Sequence, residues 1–254
     1  MLKIGLVIAF SAVLAACSGG NGTKNGEALL TYGNEAPTLT QNPEQLDLLI
    51  FGGTAGIGLE TVKLALARGH QVTSVSRRPE RMGLEHDNLN NVRGDFVKSD
   101  SYSFLLEGKD AVISAIGVDA SSEKITIYSE GMKDVLEVIG SNSSTQVVTI
   151  TGIGAGDSKG HGGFFYDRIV NPFLLEEDYA DKTRQEAILR RSQSRWTIVR
   201  PGFLIDDVSE TRYRVLLDMD GVQSGDISRA DVSHFLLAVV EQGAYINDTV
   251  FLSN

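Results

Sequence analysis

Asp47-Leu48-Leu49-Ile50-Phe51-Gly52-Gly53-Thr54-Ala55-Gly56-Ile57-Gly58 carries an apolar run straight into a glycine-rich turn, and Leu59–Arg68 continues with helical spacing. In such a turn Gly52 serves a sharp exit from the strand. Gly56 lets the backbone approach a pyrophosphate closely, and Gly58 lets the following helix pack tightly on the sheet. The first N–H groups of that helix, with the positive end of its dipole, face the phosphates. Thr54, Ala55 and Ile57 complete the turn as cofactor-binding positions. The spacing is Gly-x3-Gly-x-Gly rather than Gly-x-Gly-x2-Gly. An ordinary strand-to-helix loop is the alternative; the strand before and the helix after weigh against it.

Outward from this turn, strand-like and helical runs alternate. Strands are expected at Leu48–Phe51, Gln71–Ser76, Asn91–Phe96, Asp110–Ile116, Thr145–Thr151 and Trp196–Val199, and helices at Gly58–Arg68, Lys124–Ile139 and about Asp178–Ser192. This alternation predicts an α/β fold, a single Rossmann-type doubly wound parallel sheet with a small C-terminal substrate region. The strands are continuous apolar runs, as strands covered on both faces must be.

Ligands of such sheets sit at the carboxyl ends of the strands. The second strand ends in Ser76-Arg77-Arg78, where an acid would bond a ribose 2′-hydroxyl. Two guanidiniums instead suit a 2′-phosphate. Asp95 follows the third strand and has two readings, acceptor of an adenine amino group or helix cap. Ser114, Ala115 and Ile116 end the fourth strand, where small residues let a ribose lie against the backbone. Together these positions point to NADP(H) as the cofactor. The four histidines show no metal-ligand spacing, and no metal is expected.

The chain has 254 residues and a formal net charge of −10. With no basic stripe, nucleic acid is not an expected partner. Met1-Leu2-Lys3 precedes an apolar run, Ile4–Ala16, of signal-sequence length and too short to span a bilayer. The run ends in Leu14-Ala15-Ala16-Cys17 and resembles the lipobox of bacterial lipoproteins. That resemblance implies cleavage before Cys17 and lipidation of its thiol. It also implies localisation in the bacterial cell envelope, on the periplasmic face of the outer membrane, given Ser18. The expected organisation is a signal peptide over residues 1–16, a lipidated cysteine and flexible tether over 17–45, and a dinucleotide-binding domain over 46–254. Oligomeric state is not legible.

Residues 45–254 resemble the short-chain dehydrogenase/reductase superfamily, more narrowly its divergent NAD(P)H-binding branch with the biliverdin-IXβ/flavin reductases and NmrA-like proteins. The resemblance is carried by the 50–58 turn, Val75-Ser76-Arg77-Arg78, Arg93-Gly94-Asp95, Val112–Gly117, Val148–Gly152, Lys182 with Glu186, Trp196–Gly202 and Ile227–Val232. It implies NADP(H) and hydride transfer, without fixing the substrate. The superfamily's catalytic set is a Ser or Thr after the fifth strand plus Tyr-x3-Lys. Thr151 and Lys182 take two of these places. The tyrosine is open between Tyr179, three residues before the lysine, and Tyr166, and amphipathic packing is the other reading of each. In that chemistry Lys182 also contacts the nicotinamide ribose, its charge lowers a phenol pKa, and the phenol protonates a carbonyl as hydride arrives. The glycine-rich stretch 152–163, holding His161, is expected to form a mobile loop over the substrate.

Two functions follow. The first is a membrane-tethered NADP(H)-dependent oxidoreductase reducing a small carbonyl, flavin or quinone-type acceptor. The second is a non-catalytic nucleotide-binding or protein-interaction lipoprotein. The second draws on the absence of a twin-arginine pair, since a chain exported unfolded would travel without cofactor.

Overall fold

A computed structural model describes residues 35–118, 124–140, 144–162, 175–220 and 222–254. The signal segment, Cys17 and Tyr166 lie outside these residues.

Strand β1 (Asp47–Phe51) alternates its side chains between two cores. Leu48 and Ile50 join one cluster with Ile57, Val62, Ala65 and Leu66 of α1 (Gly56–Ala67) and with Phe235 and Leu236 of α4 (Arg229–Gln242). Leu49 and Phe51 join the other with Met132 and Val135 of α2 (Ile127–Ile139) and Leu189 of α3 (Glu176–Arg191). Both faces are covered, so the strand has no polar face, and each such side chain contributes ~1.5–3 kcal/mol.

β2 (Gln71–Ser76) and β3 (Leu89–Arg93) lie to one side of β1. β4 (Ala111–Ser114), β5 (Gln146–Ile150), β6 (Arg195–Pro201), β10 (Asp248–Ser253) and β8 (Arg214–Leu216) lie to the other. The eight-stranded sheet has the order β3-β2-β1-β4-β5-β6-β10-β8, with only the β10–β8 pair antiparallel. The order in which strands are added reverses between β1 and β4, which opens a crevice at their carboxyl ends. β7 (Phe203–Ile205) and β9 (Asp226–Ser228) form a separate parallel pair beside it.

The expected doubly wound α/β sheet is therefore present, with adjustments. β3 ends at Arg93, before the expected Phe96: Gly94 N–H makes the last rung to Ser76 O, and the chain then turns, with Lys98 N–H donating to Asp95 O at 2.8 Å. α2 starts at Ile127, not Lys124. Thr126 gives it no side-chain cap; Asp181 of α3 instead accepts from the N–H groups of Tyr128 (2.8 Å) and Ser129 (3.2 Å). Of the stretch read as tether, residues 36–45 dock on the domain. Ala36 and Leu39 pack on the first core, and Gln242 donates to Thr38 O at 2.7 Å.

Candidate active site

The crevice is a cavity of about 920 Å³, at the large end of the roughly 300–1,000 Å³ typical of ligand sites. The glycine turn forms its floor. Gly52 has φ +83°, and a Cβ there would lie 2.5 Å from Ala115 O; a Cβ on Gly58 would strike Gly52 O. Only glycine brings strand, turn and helix this close. Gly56, with φ +53°, turns its open side toward the cavity. α1 begins with neither a side-chain cap nor an acid in its first turn, so its leading N–H groups are unpaired by the side chains. These features form a cradle for an anion at a helix N-terminus.

Gly52, Thr54, Ala55, Gly56 and Ile57 line the cavity with Arg77, Arg78, Asp95, Ala115, Ile116, Thr151, Tyr179 and Lys182. Two predicted cofactor contacts do not. Gly58 is spent on packing against Gly52, the role its spacing suggested. Ser114 is corrected: it is buried within β4, paired with Phe51 and Thr149 on its neighbours, and leaves the wall to Ala115 and the residues after it.

At the β2 end, Arg77, Arg78 and Arg81 crowd one rim, and among the described residues none forms an ion pair. Ser76 Oγ is buried in the same wall without a hydrogen-bond partner among the described residues. The rim thus offers three guanidiniums and one orphaned hydroxyl. Arg81 was missed in sequence because it follows the strand by five residues, on a short 3-10 turn (Pro79–Arg81). Asp95 lines the cavity, accepts weakly from Val97 N–H (3.4 Å) and faces Lys98 at 3.7 Å; the short turn after it, Ser99–Ser101, has no side-chain cap, so the cap reading does not hold.

At the opposite end, Lys182 Nζ lies 2.7 Å from Asp178 Oδ2 and 5.1 Å from the ring centres of both Tyr128 and Tyr179. Tyr128 Oη donates to Asp178 Oδ1 at 2.6 Å. Burial first, then the Asp178 charge, pushes the Tyr128 phenol well above its usual range. Asp178, four residues before the lysine, stands where the resembled pattern has tyrosine. The ammonium is therefore neutralised by a carboxylate rather than turned on a phenol alone.

Thr151 lines the cavity, but its hydroxyl donates to Glu186 Oε1 at 2.8 Å. Its proton is directed there, to a buried carboxylate rather than into the cavity. Glu186, fully buried, pairs with both arms of Arg200 (2.9 and 2.6 Å), and Arg200 Nη1 reaches Asp157 at 2.6 Å. Burial alone would raise the Asp157 carboxyl; the bonds and charge of Arg200 outweigh it and hold it below the usual range. This chain pins the start of the glycine stretch. Gly156 N–H also donates to Thr183 (2.9 Å), and His161 Nδ1 faces Val222 O at 2.9 Å. The start of this stretch thus carries hydrogen bonds of its own, and His161 has its own partner away from the cavity wall.

Comparison with known proteins agrees with this geometry. Among solved structures, the anaerobillin reductase ChuY of Escherichia coli O157:H7 is 20% identical. The match covers 82% of this chain and 96% of that one, with a TM-score of 0.68. A proposed NADH-flavin reductase of Streptococcus pneumoniae is 21% identical over 82% and 99% of the two chains, with a TM-score of 0.64. A proposed exported protein of Burkholderia pseudomallei is 22% identical over 83% and 100%, with a TM-score of 0.63. These likenesses concern the fold. The family described as NAD(P)H-binding matches residues 52–243, which take in the glycine turn, the arginine rim and Lys182; the chain belongs to that family.

Proposed function

We propose that the protein is an NADP(H)-dependent oxidoreductase that passes hydride to a flavin- or quinone-type acceptor. The observation that carries this reading is the glycine cradle at the uncapped start of α1, opening into a cavity with unpaired arginines at one end and Lys182 at the other. A bound nicotinamide would supply the hydride. The first N–H groups of α1 would hold its diphosphate, and Arg77, Arg78, Arg81 and Ser76 its 2′-phosphate. Asp95 would take the adenine amino group, and Lys182 would donate to the nicotinamide ribose.

The wall near Lys182 is apolar, with Ile153, Pro201, Phe203 and Leu204, and suits a planar ring. Thr151 directs its proton to Glu186, and Lys182 has its charge balanced by Asp178. This supports an acceptor that draws its proton from water over a carbonyl needing a protein acid. The proposed NADH-flavin reductase of Streptococcus pneumoniae, with the same fold, supports a flavin-type acceptor.

Calorimetric titration with NADPH and NADH tests the cofactor. NADPH is expected to bind more tightly, and Arg77→Ala to weaken NADPH roughly tenfold or more while sparing NADH, from charge-assisted bonds of ~1.5–3 kcal/mol. Equal affinities in the unmodified protein overturn the preference. Loss of reduced-nicotinamide absorbance with flavin and quinone acceptors tests turnover. No oxidation with any acceptor leaves the non-catalytic binding protein as the better reading.

The proposed site of action is the periplasmic face of the outer membrane, through a lipid on Cys17. The Leu14-Ala15-Ala16-Cys17 pattern supports it, as does the export proposed for the Burkholderia relative. Cys17→Ser is expected to move the protein from the membrane to the soluble fraction; equal membrane association of both forms argues for another anchor or none.

A further inference from the structure

Arg229 opens α4 directly across from the glycine turn. Its Nε lies 3.9 Å from the point where a Gly56 Cβ would stand, and apart from the turn's own neighbouring residues and the helix backbone no other described group comes within 4 Å of that point. Its place is fixed from two sides. Ser228 caps α4 by accepting from Asp231 N–H at 2.9 Å, and Asp231 Oδ2 accepts from the Ser228 hydroxyl at 2.8 Å. One turn on, Ser233 Oγ donates to Ile57 O at 3.0 Å and ties the start of α4 to the first turn of α1. The stem of Arg229 is therefore held, while its head is not. Nη1 pairs with Asp206 Oδ1 at 2.5 Å, but the Asp206 side chain is 86% exposed. So exposed an ion pair is weak, whereas a guanidinium donates to phosphate oxygens through strong, paired bonds.

We propose that Arg229 clasps the diphosphate of the bound dinucleotide from the side opposite α1. Asp206 is the anion it leaves to do so. The inference rests on the dinucleotide reading of the cavity and adds a residue from the far end of the chain. The point beside Gly56 then has a helix dipole beneath and a mobile cation above, both favouring a doubly charged group. Asp206 acts as a competitor that keeps Arg229 beside the turn before the nucleotide arrives.

The diphosphate is common to NADPH, NADH and ADP, whereas the arginine rim at β2 meets a phosphate found only in NADPH. Arg229→Gln is therefore expected to weaken all three by the same factor, roughly tenfold or more, and to leave adenosine 2′-monophosphate unaffected. Arg77→Ala weakens NADPH alone. Asp206→Asn, which removes the competitor without touching the cradle, tightens all three by a few-fold. The measurement is calorimetric titration of the full chain, with folding of each variant followed by circular dichroism. Unchanged ADP affinity in Arg229→Gln, or weakened ADP affinity in Asp206→Asn, overturns the role of Arg229. An unmodified protein that binds none of NADPH, NADH and ADP overturns the dinucleotide reading itself, and with it this inference.

Discussion

Lys182 is the residue on which the chemistry of the site turns. Its ammonium sits between two aromatic faces and against one carboxylate, with its side chain 14% exposed. An ammonium so placed is held in one direction, which suits donation to ribose hydroxyls. It is poorly placed to activate a phenol, because Asp178 cancels the charge that would stabilise a phenolate. Two expectations separate these roles. Lys182→Ala should weaken NADPH roughly tenfold or more, since a donor to the nucleotide is lost, and should lower turnover with it. Tyr179→Phe should leave steady-state turnover within a few-fold of the unmodified protein, far from the ~10²–10⁴-fold loss expected for a positioned general acid. A loss of that larger size in Tyr179→Phe would assign the acid to Tyr179 and return the carbonyl substrates to favour.

At the scale of elements, what is legible in the sequence follows from how each element is buried. β1 and β4 are covered on both faces and stand out as near-continuous apolar runs, while β2, β5 and β6 are marked by their β-branched residues between turn residues. The glycine turn is legible because its whole motif is written within twelve residues, even though Gly52 packs against the distant Ala115. α4 escapes a periodicity reading because it is buried nearly all round, with Val232, Phe235, Leu236, Leu237, Val239 and Val240 spread over every side. Its punctuation was nonetheless present. Ser228 and Asp231 form a capping box, and Gly243 ends the helix in the left-handed region at φ +57°. β7, β8 and β9, at three residues each, are too short for any pattern. The polar chemistry divides similarly. Asp178 and Lys182 are four apart on one helix, a spacing that announces contact. Thr151 meets Glu186 across 35 positions and Glu186 meets Arg200 across 14, so the bond that holds the Thr151 hydroxyl is made by the fold. Arg229 is of this second kind: only the docking of α4 on α1 brings it to a turn more than 170 residues earlier.

At the scale of the whole molecule, one buried carboxylate joins the start of the domain to its end. Glu241, near the end of α4, has a fully buried side chain and receives Arg68 at 2.6 and 2.9 Å, His70 Nε2 at 2.9 Å and Thr40 N–H at 3.2 Å. His70 Nδ1 in turn accepts from Leu46 N–H at 3.1 Å, which leaves Nε2–H to donate to Glu241. The segment entering β1, helix α1 and helix α4 are thereby fastened at one point. Burial alone would push the Glu241 carboxyl up; the bonds from Arg68 and His70 outweigh it and hold the group below its ordinary value of 4.5. A carboxyl lowered by folding adds stability that is present above the unfolded value and is lost as pH falls through the folded one. The urea midpoint of the unmodified protein should therefore decline as pH drops below about 4.5. Glu241→Gln should remove that part of the decline and lower the neutral-pH stability by about 1.5–3 kcal/mol, the weight of hydrogen bonds to a charged group. The Thr40 and Leu46 amides should exchange faster in the variant, because the latch over the domain's entry is loosened while the sheet is intact. A variant with the same midpoint, the same acid dependence and the same exchange at Thr40 would show that the entry segment is held by the packing of Ala36 and Leu39 alone.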